Sequence, residues 1–281
     1  MRYAEVIGDP IAQSKSPIIH GYWLECLNLV GNYRRTLVPA GALEAFFDER
    51  RRDRDWLGCN VTIPHKEAAA TLVDRIDPGA RAIGAVNCVV PEEGAIVGYN
   101  TDIDGIAVAL QSAGIRGSKA VVIGAGGAAR AAVCYLSDQA VGRLVVLARN
   151  PARADALRAL LPDRLEFEVA PFDQAEIAFD GASVILNASP LGMAGAELMP
   201  REMLDSLAHH ASGATIFDMV TTPSKTAFLA AGSAGGGETV DGLTMLVGQA
   251  ARAFELFFGA PAPAPDQKLR DLLTTDSQNS A

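Results

Sequence analysis

The sequence predicts an α/β protein of two domains, each on a largely parallel sheet, and three observations carry that prediction. Short apolar runs alternate with Ala- and Leu-rich helical runs from one end of the chain to the other. One apolar run passes directly into a glycine run that opens a helix, AVVIGAGGAARAA at 120–132. The chain, 281 residues long, can enclose two cores.

In order, 3–7 reads as a strand, 17–27 as a helix, 33–38 as a strand, 43–52 as a helix and 56–61 as a strand, each from its apolar run. Pro64 reads as a first-turn proline, its missing N–H harmless there, ahead of the Ala-rich helix that follows. The runs 85–90 and 95–99 form a hairpin-like pair that completes a first domain near Gly105. A helix over 103–112, ended by Gly114, leads to strand 120–123. Further strands follow near 144–147, 184–186 and 215–218. An amphipathic helix over 245–258 closes with Gly259, and the last dozen residues, ending TTDSQNSA, are expected to be loosely ordered.

Composition narrows the function. Hydrophobic residues at 49% and charged residues at 20% exclude a disordered chain. A net charge of -9 argues against a nucleic-acid partner, which calls for a basic surface. Cys26, Cys59, Cys88 and Cys134 lack C-x-x-C spacing or neighbouring histidine ligands, so each is expected to be a small buried hydrophobe rather than part of a metal or disulfide framework. Glu5 and the Gly-Asp-Pro turn interrupt any signal-peptide core, and no apolar run reaches spanning length; a cytoplasmic protein with no membrane partner is expected.

Gly124, Gly126 and Gly127 lie between strand and helix as a G-x-G-G-x-x-R variant of the dinucleotide fingerprint, with Ala129 in place of the last glycine. Such glycines permit a tight turn and bring backbone N–H groups at a helix N-terminus to a pyrophosphate. The next strand, LVVLA, ends in ARNPARAD, which offers Arg149 and Arg153 where an acid would grip a ribose 2′-hydroxyl. Guanidiniums suit a 2′-phosphate, so NADP is favoured over NAD.

Lys66, in GCNVTIPHKEAA at 58–69, falls in the first turn of a helix, where the dipole opposes a cation by roughly 0.3–1 kcal/mol. A lysine there can swing into solvent, or it can have chemistry to do. Short polar side chains gather in IAQSKSPIIH, GCNVTIPHK, AVNCVV and GYNTDIDG, as a small hydroxylated ligand would require. Ser16 also reads as an N-cap before Pro17, whereas Ser14 has no local duty. Asn100, Asp102, Asp104 and Gly105 imitate the start of a calcium loop. The pattern fails, because Asn leads it, Gln111 stands where the bidentate Glu should be and a strand precedes it, so no metal is expected.

GDPIAQSKSP, GCNVTIPHKE, GAVN, NTD-x-x-G, VIGAGGAARA and DGLTMLVGQA occur in the order seen in shikimate dehydrogenases, which the chain resembles over nearly its whole length. The resemblance implies a substrate domain over 1–105, a Rossmann-like NADP domain over 106–241, and C-terminal helices over 242–281 returning to the first. It implies reversible reduction of 3-dehydroshikimate to shikimate with NADPH in aromatic amino-acid biosynthesis, by a monomer or homodimer. Ser14 and Ser16 would hold the substrate carboxylate, Thr62, Asn87 and Gln249 its hydroxyls and ring, and Lys66 and Asp102 would be the catalytic pair, Asp102 also touching substrate.

For the cofactor, Gly124, Ala125, Gly126, Gly127 and Ala128 would cradle the pyrophosphate, and Arg149, Asn150 and Arg153 would take the adenosine end. Ser189, Met219 and Gly242 would lie on the nicotinamide side. Two positions depart from the family. Thr221, in DMVTTPSK, replaces a tyrosine of the substrate pocket, which bears on the choice between shikimate and quinate. Ala148 replaces an asparagine beside the adenosine. A dual quinate and shikimate dehydrogenase is the nearest alternative, and a non-catalytic NADP-binding redox sensor the alternative of another class.

Overall fold

A computed structural model describes residues 1–275, and the chain divides into two compact units: Met1–Asp104 together with the chain from Val247 onward, and Gly105–Leu246. The first unit runs β1 (Tyr3–Gly8), α1 (Ser16–Cys26), β2 (Asn32–Leu37), α2 (Leu43–Arg50), β3 (Trp56–Val61), α3 (Lys66–Leu72), β4 (Arg75–Ile76), α4 (Pro78–Ile83), β5 (Cys88–Glu92) and β6 (Ala95–Tyr99), and then α5 (Asp102–Ala109) begins. Its sheet order is β2-β1-β3-β5-β6-β4. β1 pairs in parallel with β2 and β3, whereas β5 is antiparallel to β3 and β6.

β1 is buried at every residue, as a central parallel strand should be. Its one charge, Glu5, is fully buried and accepts a 2.6 Å bond from Arg50. Ile7, Phe47, Trp56, Cys59 and Val89 belong to one core, and Ala4, Val6, Tyr33 and Cys88 to another with Ala253 and Phe257 of a long C-terminal helix. His20, fully buried, stacks on Tyr33 at 3.9 Å and 2°. Both its ring nitrogens lack hydrogen-bond partners among the described residues, and burial pulls its pKa down to about 3.

The second unit continues with β7 (Lys119–Ile123), α6 (Gly127–Asp138), β8 (Arg143–Leu147), α7 (Pro151–Asp155), β9 (Glu166–Ala170), α8 (Ala175–Phe179), β10 (Val184–Asn187), α9 (Arg201–His210), β11 (Thr215–Asp218), α10 (Ala227–Ala234) and β12 (Glu238–Val240). All its strands are parallel, in the order β12-β11-β10-β7-β8-β9, so the direction of winding reverses between β7 and β10. Ligands of doubly wound sheets bind beyond the strand ends at that reversal. α11 (Gly242–Phe258) and α12 (Gln267–Thr275) complete the helices of the described residues. No helix among the described residues is long and apolar enough to cross a membrane.

Several local expectations are corrected. Pro64 precedes its helix instead of opening it: Ile63–Pro64 is cis, His65 N–H closes a turn onto Thr62 C=O at 2.9 Å, and α3 starts at Lys66. Lys15, not Ser16, occupies the N-cap of α1. β5 starts at Cys88, not at residue 85, because Val86 N–H is taken by the Lys66 carbonyl. Cys26 is exposed at the end of α1, while the other three cysteines are buried. The tail is a helix through Thr275, since Leu269 and Leu273 bury an apolar stripe; residues 276–281 lie outside the described residues.

Candidate active site

Lys66 is the first residue of α3, whose N-cap, His65, makes no side-chain capping bond. The sequence makes that an unfavourable place for a cation, and the fold answers it with an anion. Lys66 Nζ donates to Asp102 Oδ2 at 2.5 Å, with the two side chains 19% and 6% exposed. Asp102 opens α5, where the helix dipole favours a carboxylate.

The other oxygen of Asp102 is also held: Asn87 Nδ2 donates to Oδ1 at 2.9 Å and to Thr101 Oγ1 at 3.1 Å. Asn87 Oδ1 accepts the Thr101 N–H at 2.7 Å, and Thr101 Oγ1 donates to Gln249 Oε1, on α11, at 3.3 Å. Asn87 and Gln249 are buried. Asn100 fixes the turn between them, donating to Ala85 C=O at 2.9 Å and accepting from Asp102 N–H at 3.1 Å. Thus Lys66, Asp102, Asn87 and Gln249, from four segments far apart in sequence, form one hydrogen-bonded chain. Such a chain sets a proton-carrying group without further reorganisation.

Ser14 and Ser16 form a second group. Ser16 is buried and Ser14 half-buried, and Ser14 Oγ accepts the Ser16 N–H at 3.4 Å. The Ser16 hydroxyl acts on that of Tyr33 against the rise in pKa that burial causes there, and the Tyr33 O–H donates to Asn60 Oδ1 at 2.6 Å; Asn60 Nδ2 reaches Asn87 C=O at 3.3 Å. Buried amide and phenol groups therefore link the serine loop to the lysine network. Thr62 is half-buried in the turn before Lys66, its N–H bonded to Ile7 C=O at 2.9 Å.

In the second unit the loop after β7 fits a nucleotide pyrophosphate. Gly124 takes φ +112, and a Cβ there would meet Ala188 C=O and Ser189 at 3.1 Å, so glycine is required. Gly126 caps α6 without any side-chain acceptor, and a Cβ there would meet no atom of the fold. The first N–H groups of α6 therefore have no side-chain cap, which suits an anion. Ala125, Gly127 and Ala128 of the same turn are half-exposed.

Across the strand reversal, Asn187 Oδ1 accepts from Ser189 N–H and Oγ at 3.0 and 2.6 Å, and Asn187 Nδ2 donates to Asp218 Oδ1 at 3.0 Å. Burial raises the pKa of Asp218, while bonds from Thr226, Val220 N–H and Asn187 oppose that rise. Met219 N–H donates to Asn187 C=O at 3.0 Å, and Gly242 lies so close that a Cβ would come within 2.7 Å of Met219 C=O. Asn187 thus holds Ser189 through its side chain and Met219 through its backbone, with Gly242 packed against Met219; Thr221 is half-buried two residues on. Arg149, Asn150 and Arg153 are exposed; Arg149 donates to Glu197 at 2.5 Å and Asn150 caps α7 through the Arg153 N–H at 3.1 Å.

Sequence reasoning passed over Asn60, Thr101, Asn187 and Asp218. Their signal was a short polar residue at or just beyond a strand end, a pattern also produced by ordinary turns. The cluster Glu176, His209 and His210 brings three possible metal ligands together, but with separations of up to 4.8 Å, against about 3.3 Å for ligands of tetrahedral zinc.

A doubly wound sheet with an open glycine turn, together with a lysine–aspartate pair, defines the class of a nicotinamide-nucleotide oxidoreductase. Comparisons with known proteins narrow it. Family models match the shikimate dehydrogenase substrate binding domain over residues 6–89, shikimate / quinate 5-dehydrogenase over 107–223 and the shikimate 5'-dehydrogenase C-terminal domain over 242–266. A shikimate dehydrogenase (NADP(+)) of Sphingopyxis alaskensis is 48% identical over 275 residues, covering 96% of each chain. One from Methylobacterium radiotolerans is 42% identical over 280 residues, covering 97% of this chain and 96% of its own. Among solved structures, shikimate 5-dehydrogenase from Thermus thermophilus, in complex with NADP(H) and shikimate, superposes with a TM-score of 0.80 at 33% identity over 100% of both chains. The chain belongs to the shikimate dehydrogenase family.

Proposed function

We propose that the chain reversibly reduces 3-dehydroshikimate to shikimate with NADPH, in the cytoplasm, as a step of aromatic amino-acid biosynthesis. The observation that carries this reading is the Lys66–Asp102 pair, held at 2.5 Å by Asn87 and Thr101 in a chain of this family. The nicotinamide, when bound, supplies the hydride that reaches the carbonyl carbon. Lys66, as ammonium, gives the carbonyl oxygen its proton, so that C=O becomes CH–OH and the lysine is left neutral. Asp102 holds the ammonium in place, and Asn87 keeps the carboxylate from turning away. In the oxidising direction Lys66 takes the hydroxyl proton, and because that direction releases a proton, rising pH favours it.

Ser14 and Ser16 hold the substrate carboxylate by hydroxyl and N–H donation. Thr62, Asn87, Asp102, Thr221 and Gln249 address its hydroxyls and ring. The α6 N-terminus, Gly124 to Ala128, receives the pyrophosphate; Arg149, Asn150 and Arg153 take the adenosine 2′-phosphate end. Ser189, Met219 and Gly242 border the nicotinamide.

Following NADPH absorbance with 3-dehydroshikimate, and the reverse with shikimate and with quinate, tests the proposal. Turnover of 3-dehydroshikimate is expected, with a kcat/KM for shikimate well above that for quinate. Absence of NADPH oxidation by well-folded protein would refute it, and comparable kcat/KM for quinate would move the reading to a dual-substrate enzyme at Thr221.

A further inference from the structure

The lysine between the two serines has no part in the chemistry above, yet it is 5% exposed. Burying an ammonium is costly unless it is paired, so its partner is informative. Lys15 Nζ donates to the carbonyl of Leu273 at 2.7 Å in a buried contact. Leu273 is a buried residue of α12, so the ammonium meets the backbone of that helix. Lys15 is also the N-cap of α1: its carbonyl accepts the Ile18 N–H at 3.0 Å. One residue therefore starts α1 with its backbone and holds α12 with its side chain.

The other end of α12 is tied to the same helix. Tyr22 of α1 donates to Asp266 Oδ2 at 2.6 Å, and Asp266 Oδ1 accepts the Leu269 N–H at 2.8 Å. The serine loop has a second clamp, since Arg35 of β2 donates through Nε to the Ser14 carbonyl at 2.8 Å. The Ser14–Ser16 segment is thus held at two points, by the Arg35 guanidinium of β2 on the Ser14 carbonyl and by its own Lys15 ammonium on the Leu273 carbonyl of α12.

We propose that Lys15 is a positioning residue: by anchoring on the Leu273 carbonyl of α12, it sets the Ser14–Ser16 loop in the geometry that receives the substrate carboxylate. α12 thereby becomes part of the substrate site without contributing a side chain to it. The inference rests on the reading of Ser14 and Ser16 as carboxylate ligands. A loop set for the ground-state carboxylate acts on substrate binding, and it leaves proton transfer at Lys66 untouched.

The test compares steady-state kinetics and melting temperature for Lys15→Met, Lys15→Arg, Tyr22→Phe and the double variant Ser14→Ala/Ser16→Ala in the full-length protein. Lys15→Met is expected to raise KM for 3-dehydroshikimate by about tenfold, with kcat and KM for NADPH within about twofold of wild type. Lys15→Arg, which keeps a donor and the charge, should recover most of that loss. Tyr22→Phe, which loosens only the far end of α12, should lower the melting temperature with little change in KM. The inference is overturned if Lys15→Met retains wild-type KM, or if KM rises in both Lys15→Met and Tyr22→Phe in proportion to lost stability. If the double serine variant also keeps its KM, the reading of the serines is what has failed. A raised KM there with wild-type KM in Lys15→Met isolates the failure to Lys15.

Discussion

In the first unit Lys66, Asp102, Asn87, Thr101 and Gln249 bond to one another, and all but Lys66 are buried, whereas in the second Arg149, Asn150 and Arg153 stand exposed beside an uncapped helix N-terminus. One site is built from side chains held in place by other side chains. The other offers an uncapped helix N-terminus and long, exposed charged side chains. In a connected network the loss of one member disturbs the rest, while at an exposed guanidinium the effect stays with the group it would touch. Substitutions in the lysine network should therefore act on catalysis and stability, and those at the exposed arginines on the recognition of one phosphate.

The largest effect that would sharpen this contrast is expected for Asp102→Asn. It leaves the Lys66 ammonium without its carboxylate, and kcat should fall on the order of 10²-fold, the lower range for a positioned acid or base. Stopped-flow or steady-state rates at saturating substrate check it, and a kcat within a few-fold of wild type would break the network account.

Buried polar groups in the first unit should also govern its stability, and His20 is the clearest case. Its folded pKa, down at about 3, lies below the unfolded value of about 6.5. The unfolded chain takes up a proton that the folded one refuses, so stability is present above pH 6.5 and is lost as pH falls toward 3. At pH 5 the loss is about 2 kcal/mol, from roughly 1.4 kcal/mol per pH unit. Urea unfolding of His20→Phe should show the variant gaining that amount on wild type between about pH 7.5 and pH 5; equal pH dependence would refute it.

The smallest effect belongs to the exposed arginines. Neutralising Arg149 and Arg153 together should raise KM for NADP about tenfold or more, with KM for NAD nearly unchanged, as loss of a phosphate contact demands. Equal effects on both cofactors would show that the arginines do not read the 2′-phosphate.

What the sequence revealed follows the same division. The strands of both sheet centres were legible because they are buried on both faces and read as continuous apolar runs, as in Ala120–Ile123 and Val184–Leu186. The edge strands β9 and β12, EFEVA and ETV, mix exposed polar residues into short runs and were missed. The glycine turn was legible because its duty is local. Lys66 stood out because it breaks a local rule, but its partner lies 36 positions away in sequence and came only from the family resemblance. Asn60, Asn187 and Asp218 obey every local rule, and only their burial in three dimensions shows that they hold others in place.

The central claim is that Lys66, held by Asp102, passes the proton. The most direct test is the kcat of Lys66→Ala for 3-dehydroshikimate reduction, with the melting temperature measured to confirm folding. A loss on the order of 10² or more is predicted, with little change in substrate KM. A folded Lys66→Ala protein with near-wild-type kcat would contradict it.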